Sequence, residues 1–312
     1  MHVKNQFKII GLALLLYSFS PLKAFAHNPN AARATGDGKV LEHYTWVEIL
    51  NPLLILGLVA VFVIYLWAMR KVSIKHEVRH KLGKKIAFLL GLLTTYLSLA
   101  GPVSIYANNL VFSAHMLQQA MMYIAMPMLI LLGMPRVFYE FLDKRLLKIK
   151  IMRIFKSPLI SALLFNLLWS LYHIPVIYEY IWQQLFLLET SHLVINSAAF
   201  MMWIHVLAPQ GLVNNMSYLM KIGYMFLDGV LITPACALII FANDVLYSSI
   251  YQAPLMFSFS TPQDDQQLGG ILMKIIQEIF YGAAIAYTFF KWAREERAKD
   301  VQVDEIPIGA VE

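Results

Sequence analysis

Seven apolar stretches, separated by short polar segments, run the length of the chain. A transmembrane helix needs about 20 predominantly apolar residues, and the pattern predicts spans over 49–69, 86–106, 110–133, 158–181, 185–207, 219–243 and 268–291. The charges between them are sorted. Lys and Arg crowd the segment 70–85 (Arg70, Lys71, Lys75 and onward) and the segment after the third span, from Arg136 through Lys148 to Lys156. The stretch 244–267 has neither and carries Asp244, Asp264 and Asp265, while the tail is basic again at Lys291 and Arg294. Positive charge marks cytoplasmic loops, so the first two segments and the tail are expected inside and 244–267 outside. An outside N terminus and an inside C terminus require an odd number of spans, which seven satisfies.

Composition agrees. The chain is 59% hydrophobic and 14% charged with mean hydropathy +0.61, whereas soluble domains are about 25% charged. The expected class is an all-α polytopic membrane protein of the cell membrane, a bundle of about seven helices with no room for a second soluble domain. Ahead of it, Lys4 and Lys8, the short apolar run 9–19 and Ala24-Phe25-Ala26 have the form of a secretory signal peptide, 1–26; an uncleaved first helix is the alternative. Cleavage would leave His27, an N-terminal copper chelator by residue type, at the head of an extracytoplasmic segment 27–48. The membrane domain is then 49–292 and the cytoplasmic tail 293–312. The net charge of +6 is explained by topology and is no nucleic-acid signal. Cys236 is the only cysteine, so an intramolecular disulfide and a CxxC metal site are excluded; on an apolar helix it reads as small filler.

Polar residues inside the spans are costly and tend to mark function. At about 1.5 Å per residue, His115, His173, His192 and Lys274 all lie about 8–12 Å from the outer helix ends, with Glu278 one turn deeper than Lys274. Helical spacing gathers neighbours: His115 with Gln118, Gln119 and Met122, and Met116 adjacent; His173 with Asn166 and Trp169; Glu189, His192 and Asn196 together; Lys274 with Gln277 and Glu278. Four polar faces at one depth predict an outward-facing cavity. Imidazole with thioether sulfur suits copper, so His115, His173, His192, Met116 and Met122 are candidate ligands, with Gln118, Gln119, Glu189, Asn196, Lys274 and Glu278 lining the site. Lys274 and Glu278, four apart, can neutralise one another. The competing reading makes each His an interhelical hydrogen-bonded contact. His205 and Asp228 lie deeper and fall outside this layer, and Asp264-Asp265 reads as a solvated turn. No catalytic motif is present: no G-x-S-x-G elbow, P-loop or zincin helix. The expected protein is not an enzyme.

Four segments carry a family likeness: "HMLQQAMMYIAMPMLILLGMP" from His115, "SPLISALLFNLLWSLYHIP" from Ser157, "SHLVINSAAFMMW" from Ser191 and "DQQLGGILMKIIQEIFYG" from Asp265. On these the chain, over roughly 46–292, resembles the CtaG family of cytochrome c oxidase assembly factors, particularly the Gram-positive type. That family tends to show H-M-x-Q-H in the third span; here Gln119 stands at the second His position. The resemblance implies biogenesis of a haem-copper oxidase, with copper as transient cargo and no bound haem. It implies oxidase subunits, other copper chaperones and membrane lipid as partners. The alternatives are a copper or small-solute transporter and a bis-His membrane haem protein.

Overall fold

The computed structural model describes residues 40–76, 82–146, 152–253 and 261–304. The signal segment 1–26, His27, Arg79, Lys81, Lys148 and Lys150 lie outside the described residues. Among those described, all regular structure is helical: α1 (Trp46–Leu50), α2 (Pro52–His76), α3 (Leu82–Leu99), α4 (Gly101–Asn108), α5 (Phe112–Ala120), α6 (Met126–Gly133), α7 (Arg136–Phe141), α8 (Pro158–Tyr172), α9 (Pro175–Trp182), α10 (Leu185–Leu207), α11 (Tyr218–Ile240) and α12 (Pro262–Asp304). Six continuous stretches are long and apolar enough to cross a membrane: Trp46–Ile74, Leu82–Asn108, Phe112–Gly133, α10, α11 and Pro262–Ala298. The pair α8–α9, bent by 76°, has the length and composition of a seventh if its two helices are taken as one span.

The breaks have local causes. Thr45 and Glu48 form a capping box that starts α1, with Glu48 Oε2 accepting from Thr45 N at 2.8 Å. Between α3 and α4, Gly101 takes φ +77, a conformation cheap only for glycine, and Pro102 cannot donate to the Ser98 carbonyl. Between α8 and α9, Ile174 is extended (φ −66, ψ 124), as a residue before proline prefers, and Pro175 opens the next helix. Within the span expected over 158–181, proline chemistry ends the first helix at Tyr172. The last helix begins at Pro262, six residues before the predicted apolar start, because Thr261 and Asp264 cap it through Thr261 N to Asp264 Oδ2 at 2.7 Å and Asp264 N to Thr261 Oγ1 at 3.2 Å.

The third span is the hub. Its most apolar stretch is 78% buried, against 17% for the first span. Two glycines let α3 approach it: a Cβ at Gly91 would lie 2.7 Å from Ile130 Cγ1, and one at Gly133 would lie 2.8 Å from the Lys84 carbonyl oxygen. Small residues at such crossings let membrane helices pack by contact where no hydrophobic drive exists. Lys84 Nζ closes the C-terminal end of α6 by donating to Met134 O at 2.6 Å. On the outside, large apolar residues such as Leu56, Leu163, Phe226 and Phe290 are exposed, as a lipid-facing surface requires.

Candidate functional site

α5 and α6 are joined through a π-helical turn, Met121–Ala125. Such turns re-aim side chains and recur at functional sites. Here the turn places Tyr123, fully buried, with its hydroxyl in a short hydrogen bond to His192 Nδ1 from α10. On the other side, the bend at His173 swings α9 so that Tyr178 and Trp182 close over His115, with ring centroids 5.6 and 5.1 Å away. His192 is 6.3 Å from His115 between ring centroids. Tyr172 touches all three histidines, at 6.0 Å from His115, 5.4 Å from His173 and 6.2 Å from His192. The three histidines therefore meet inside one aromatic-walled cluster, beneath the segment after α11, whose Tyr247 donates to His173 O at 2.8 Å.

Hydrogen bonds determine where the protons sit. His173 Nδ1 is 2.7 Å from the Trp169 carbonyl. A carbonyl only accepts, so Nδ1 carries the proton and Nε2 keeps a bare lone pair. That Nε2 is buried and without a partner. The Gln119 amide is oriented by Trp169, whose indole N–H donates to Gln119 Oε1 at 2.9 Å. Its NH₂ group therefore faces His115 Nε2 at 3.0 Å, so Nε2 accepts and the neutral ring holds its proton on Nδ1. His115 Nδ1 is likewise buried and unpartnered. Buried polar atoms without partners are uncommon and need a reason. Two of the nine such side-chain atoms among the described residues fall on histidines of this one cluster.

The other sequence-predicted residues divide. Gln119 belongs to the cluster. Gln118 does not face it: its amide donates to Ser98 O at 2.7 Å, the carbonyl that Pro102 leaves unsatisfied, so it braces the break between α3 and α4. Met116 is fully buried but turned to α12, where its Cγ would lie 2.9 Å from a Cβ at Gly269. Met122 is buried in the apolar core. Glu189 and His192 are half-buried, and Asn196, one turn further along α10, is buried with Oδ1 unpartnered. Lys274 and Glu278 do pair, at 2.7 Å, but on the outside of the bundle: Glu278 keeps 62% of its side chain exposed and Lys274 27%. Lys274 donates to Thr233 Oγ1 at 3.1 Å and Gln277 Oε1 at 3.0 Å, and neither bond reaches the histidines.

Sequence reasoning missed the aromatic shell of Tyr123, Tyr172, Tyr178, Trp182 and Tyr247. A local signal existed in the Tyr-His-Ile-Pro break, which forces Tyr178 and Trp182 back over the cluster. It also misread Asp265. Instead of a solvated turn, Asp265 is 7% exposed and accepts from Phe112 N at 2.7 Å and, in a short bond, from the Ser113 hydroxyl. It caps α5 from another helix, because Val111 offers no side-chain cap. One layer deeper, Asp228 is fully buried and takes Asn166 Nδ2 at 2.6 Å and the Tyr281 hydroxyl in a short bond. His205 is buried against Ser161 Oγ at 3.1 Å and Asn214 Nδ2 at 2.9 Å. Neither touches the three-histidine cluster, as their greater depth predicted.

Among the described residues no three His, Cys, Asp or Glu side chains form a ready-made metal shell. Of its two unpartnered imidazole nitrogens, His173 Nε2 keeps a free lone pair and His115 Nδ1 carries a proton.

A family model described as "Cytochrome c oxidase caa3 assembly factor (Caa3_CtaG)" matches residues 63–295. The chain belongs to this CtaG family. The match runs from inside the first span to the last turns of α12, so the whole histidine cluster lies within it. Membership supports a role in assembling cytochrome c oxidase, with contact to oxidase components. No curated protein and no solved structure matches the chain.

Proposed function

We propose that this CtaG-family protein assists oxidase assembly by holding copper transiently at the His115–His173 cluster and passing it to an oxidase subunit from the outer face of the membrane. The observation that carries the reading is the pair of buried, unpartnered nitrogens, His173 Nε2 and His115 Nδ1. Neutral imidazole binds either copper state, and because burial penalises charge the monovalent cuprous ion costs less there than a divalent one. Coordination by His115 Nδ1 requires its proton to move to Nε2 and the Gln119 NH₂ group, 3.0 Å from Nε2, to turn away, so that the Nε2–H can donate to the Tyr172 oxygen 3.2 Å away. His192 stands ready as a third ligand once its Tyr123 bond yields. The outer-face assignment rests on the charge pattern: the basic segments lie at the far ends of the helices from the cluster. Copper here is cargo, held by few ligands so that it can leave.

The test is copper(I) retention by the purified protein after desalting, compared with an H115A/H173A/H192A variant, beside oxidase activity in a clean deletion. Wild type is expected to keep copper and the variant to lose it, with oxidase activity falling in both the deletion and the variant. Equal copper in both proteins refutes the site; normal oxidase in the deletion refutes the role. A second reading, copper or solute transport, is favoured by one observation: the helix breaks at His173, and transporters build their sites at discontinuous helices. Copper uptake into proteoliposomes that is abolished in the variant would move the conclusion there.

A further inference from the structure

Glu278 is thirteen residues from Asp265 and thirteen from Lys291, about 20 Å along the helix from each. It therefore lies midway along the membrane-length stretch Pro262–Ala298, and its side chain points outward from the bundle, 62% exposed. The exposed residues Ile271, Ile275 and Ile279 flank it on the same stripe of α12. One carboxylate oxygen, Oε1, is engaged by Lys274 at 2.7 Å, and Glu278 makes no bond to any other described residue. A carboxylate at this depth belongs against protein, because hydrocarbon offers it no donor.

A second acceptor lies on the neighbouring helix. Thr233 and Pro234 are both exposed on α11 beside Lys274. Pro234, inside the helix, has no N–H to give the Val230 carbonyl, and Val230 is itself 52% exposed. The outer seam between α11 and α12 thus presents a carboxylate oxygen with room for a donor, within a rim of isoleucine, and Pro234 leaves the Val230 carbonyl of α11 without its helical donor. The positive charge is already neutralised, so the seam asks for donors rather than for an anion.

We propose that this seam is the docking surface for a transmembrane helix of an oxidase subunit, one that turns hydrogen-bond donors (Ser, Thr, Asn, Gln or His) toward Glu278 and the Val230 carbonyl. The identity of that partner rests on the assembly reading above; the surface itself does not. A second copy of this chain fits less well, since a two-fold axis along the membrane normal would set Glu278 against Glu278 at equal depth and supply acceptors to acceptors.

A photo-crosslinking amino acid placed at Ile279, with Leu56 on α2 as the control position, tests this in cells. The expected result is an adduct containing an oxidase subunit at Ile279 only, lost in a K274L/E278L background. Oxidase activity in K274L/E278L should fall about tenfold, equivalent to about 1.4 kcal/mol of docking, while copper retention by the purified protein stays at wild type. Ile279→Trp, which adds bulk outward without touching the polar seam, should lower oxidase activity at unchanged protein abundance, so a folding defect in the double variant would not hide the answer. An adduct of two copies, no adduct above the Leu56 control, or full oxidase activity in Ile279→Trp overturns the proposal. Copper loss in the triple histidine variant would stand apart from any of these outcomes.

Discussion

Asp265→Ala should destabilise this protein more than any other single change at its helix ends. The carboxylate bridges the start of α12 to the start of α5, accepting from Phe112 N at 2.7 Å and from the Ser113 hydroxyl, with Ser113 N at 3.4 Å as a weaker third donor. Hydrogen bonds to a charged group are worth about 1.5–3 kcal/mol each, and a carboxylate at a helix N terminus adds about 0.3–1 kcal/mol through the dipole. Alanine removes two strong bonds and leaves the Phe112 amide buried without a partner, since α5 has no cap of its own. Some of this is offset because a half-dry carboxylate no longer has to be desolvated, so the expected loss is about 3 kcal/mol. Asp265→Asn keeps an acceptor for Phe112 N and an amide to meet the Ser113 oxygen, and should lose about 1 kcal/mol. Thermal unfolding in detergent, followed by tryptophan fluorescence, reads the difference. At about 2–4 °C per kcal/mol for a chain of this size, Asp265→Ala should melt roughly 6–12 °C below wild type and Asp265→Asn well above Asp265→Ala. Equal melting of all three would show that the cap contributes nothing and that the solvated-turn reading was right. His115 begins the turn after Phe112–Ser113, so oxidase activity should follow the same order.

Gly133→Ala should cost about 1–3 kcal/mol by overpacking, because its Cβ would lie 2.7 Å from Phe88 Cβ and 2.8 Å from Lys84 O, whereas Gly57→Ala, with open space around it, should be neutral or up to about 1 kcal/mol stabilising; parallel melts distinguish them. Trp169→Phe should free Gln119 Oε1, cost about 1–3 kcal/mol for the orphaned buried acceptor and weaken copper retention by releasing the amide that orients His115; unchanged melting and retention would count against the network. A single cysteine at position 264 on a Cys236→Ala background should react with impermeant reagent from outside intact cells only; labelling confined to inverted vesicles would overturn the topology.

What the chain disclosed, and what it withheld, follows from how each signal is carried. Span number and placement are one-dimensional: twenty apolar residues remain twenty apolar residues whatever they pack against, and six of the seven stretches reappear as stretches of spanning length, with 158–181 as a bent helix pair. Matched depth is also one-dimensional, since helical rise converts residue number to height, and the Tyr172 ring lies near each of the three histidines. Azimuth is not so simply encoded. The rotation of a helix about its axis depends on which neighbours it finds, so Lys274 shares the predicted depth of His115 yet faces Thr233 on the far side of α12. Gln118 shares a helix face with His115 but is drawn to the Ser98 carbonyl, because the break at Gly101-Pro102 creates a stronger demand than the cluster does. The aromatic shell was hidden for a related reason: Tyr178 and Trp182 lie beyond a proline, and only the 76° bend returns them over His115. In a membrane bundle, then, a polar residue's depth can be taken from the sequence, while its facing must be argued from the unsatisfied groups around it. By that rule the same observation that removes Glu278 from the histidine site gives it a second meaning, since a carboxylate midway along a membrane-length helix with an unfilled oxygen is as much in need of a partner as the buried nitrogens of His115 and His173.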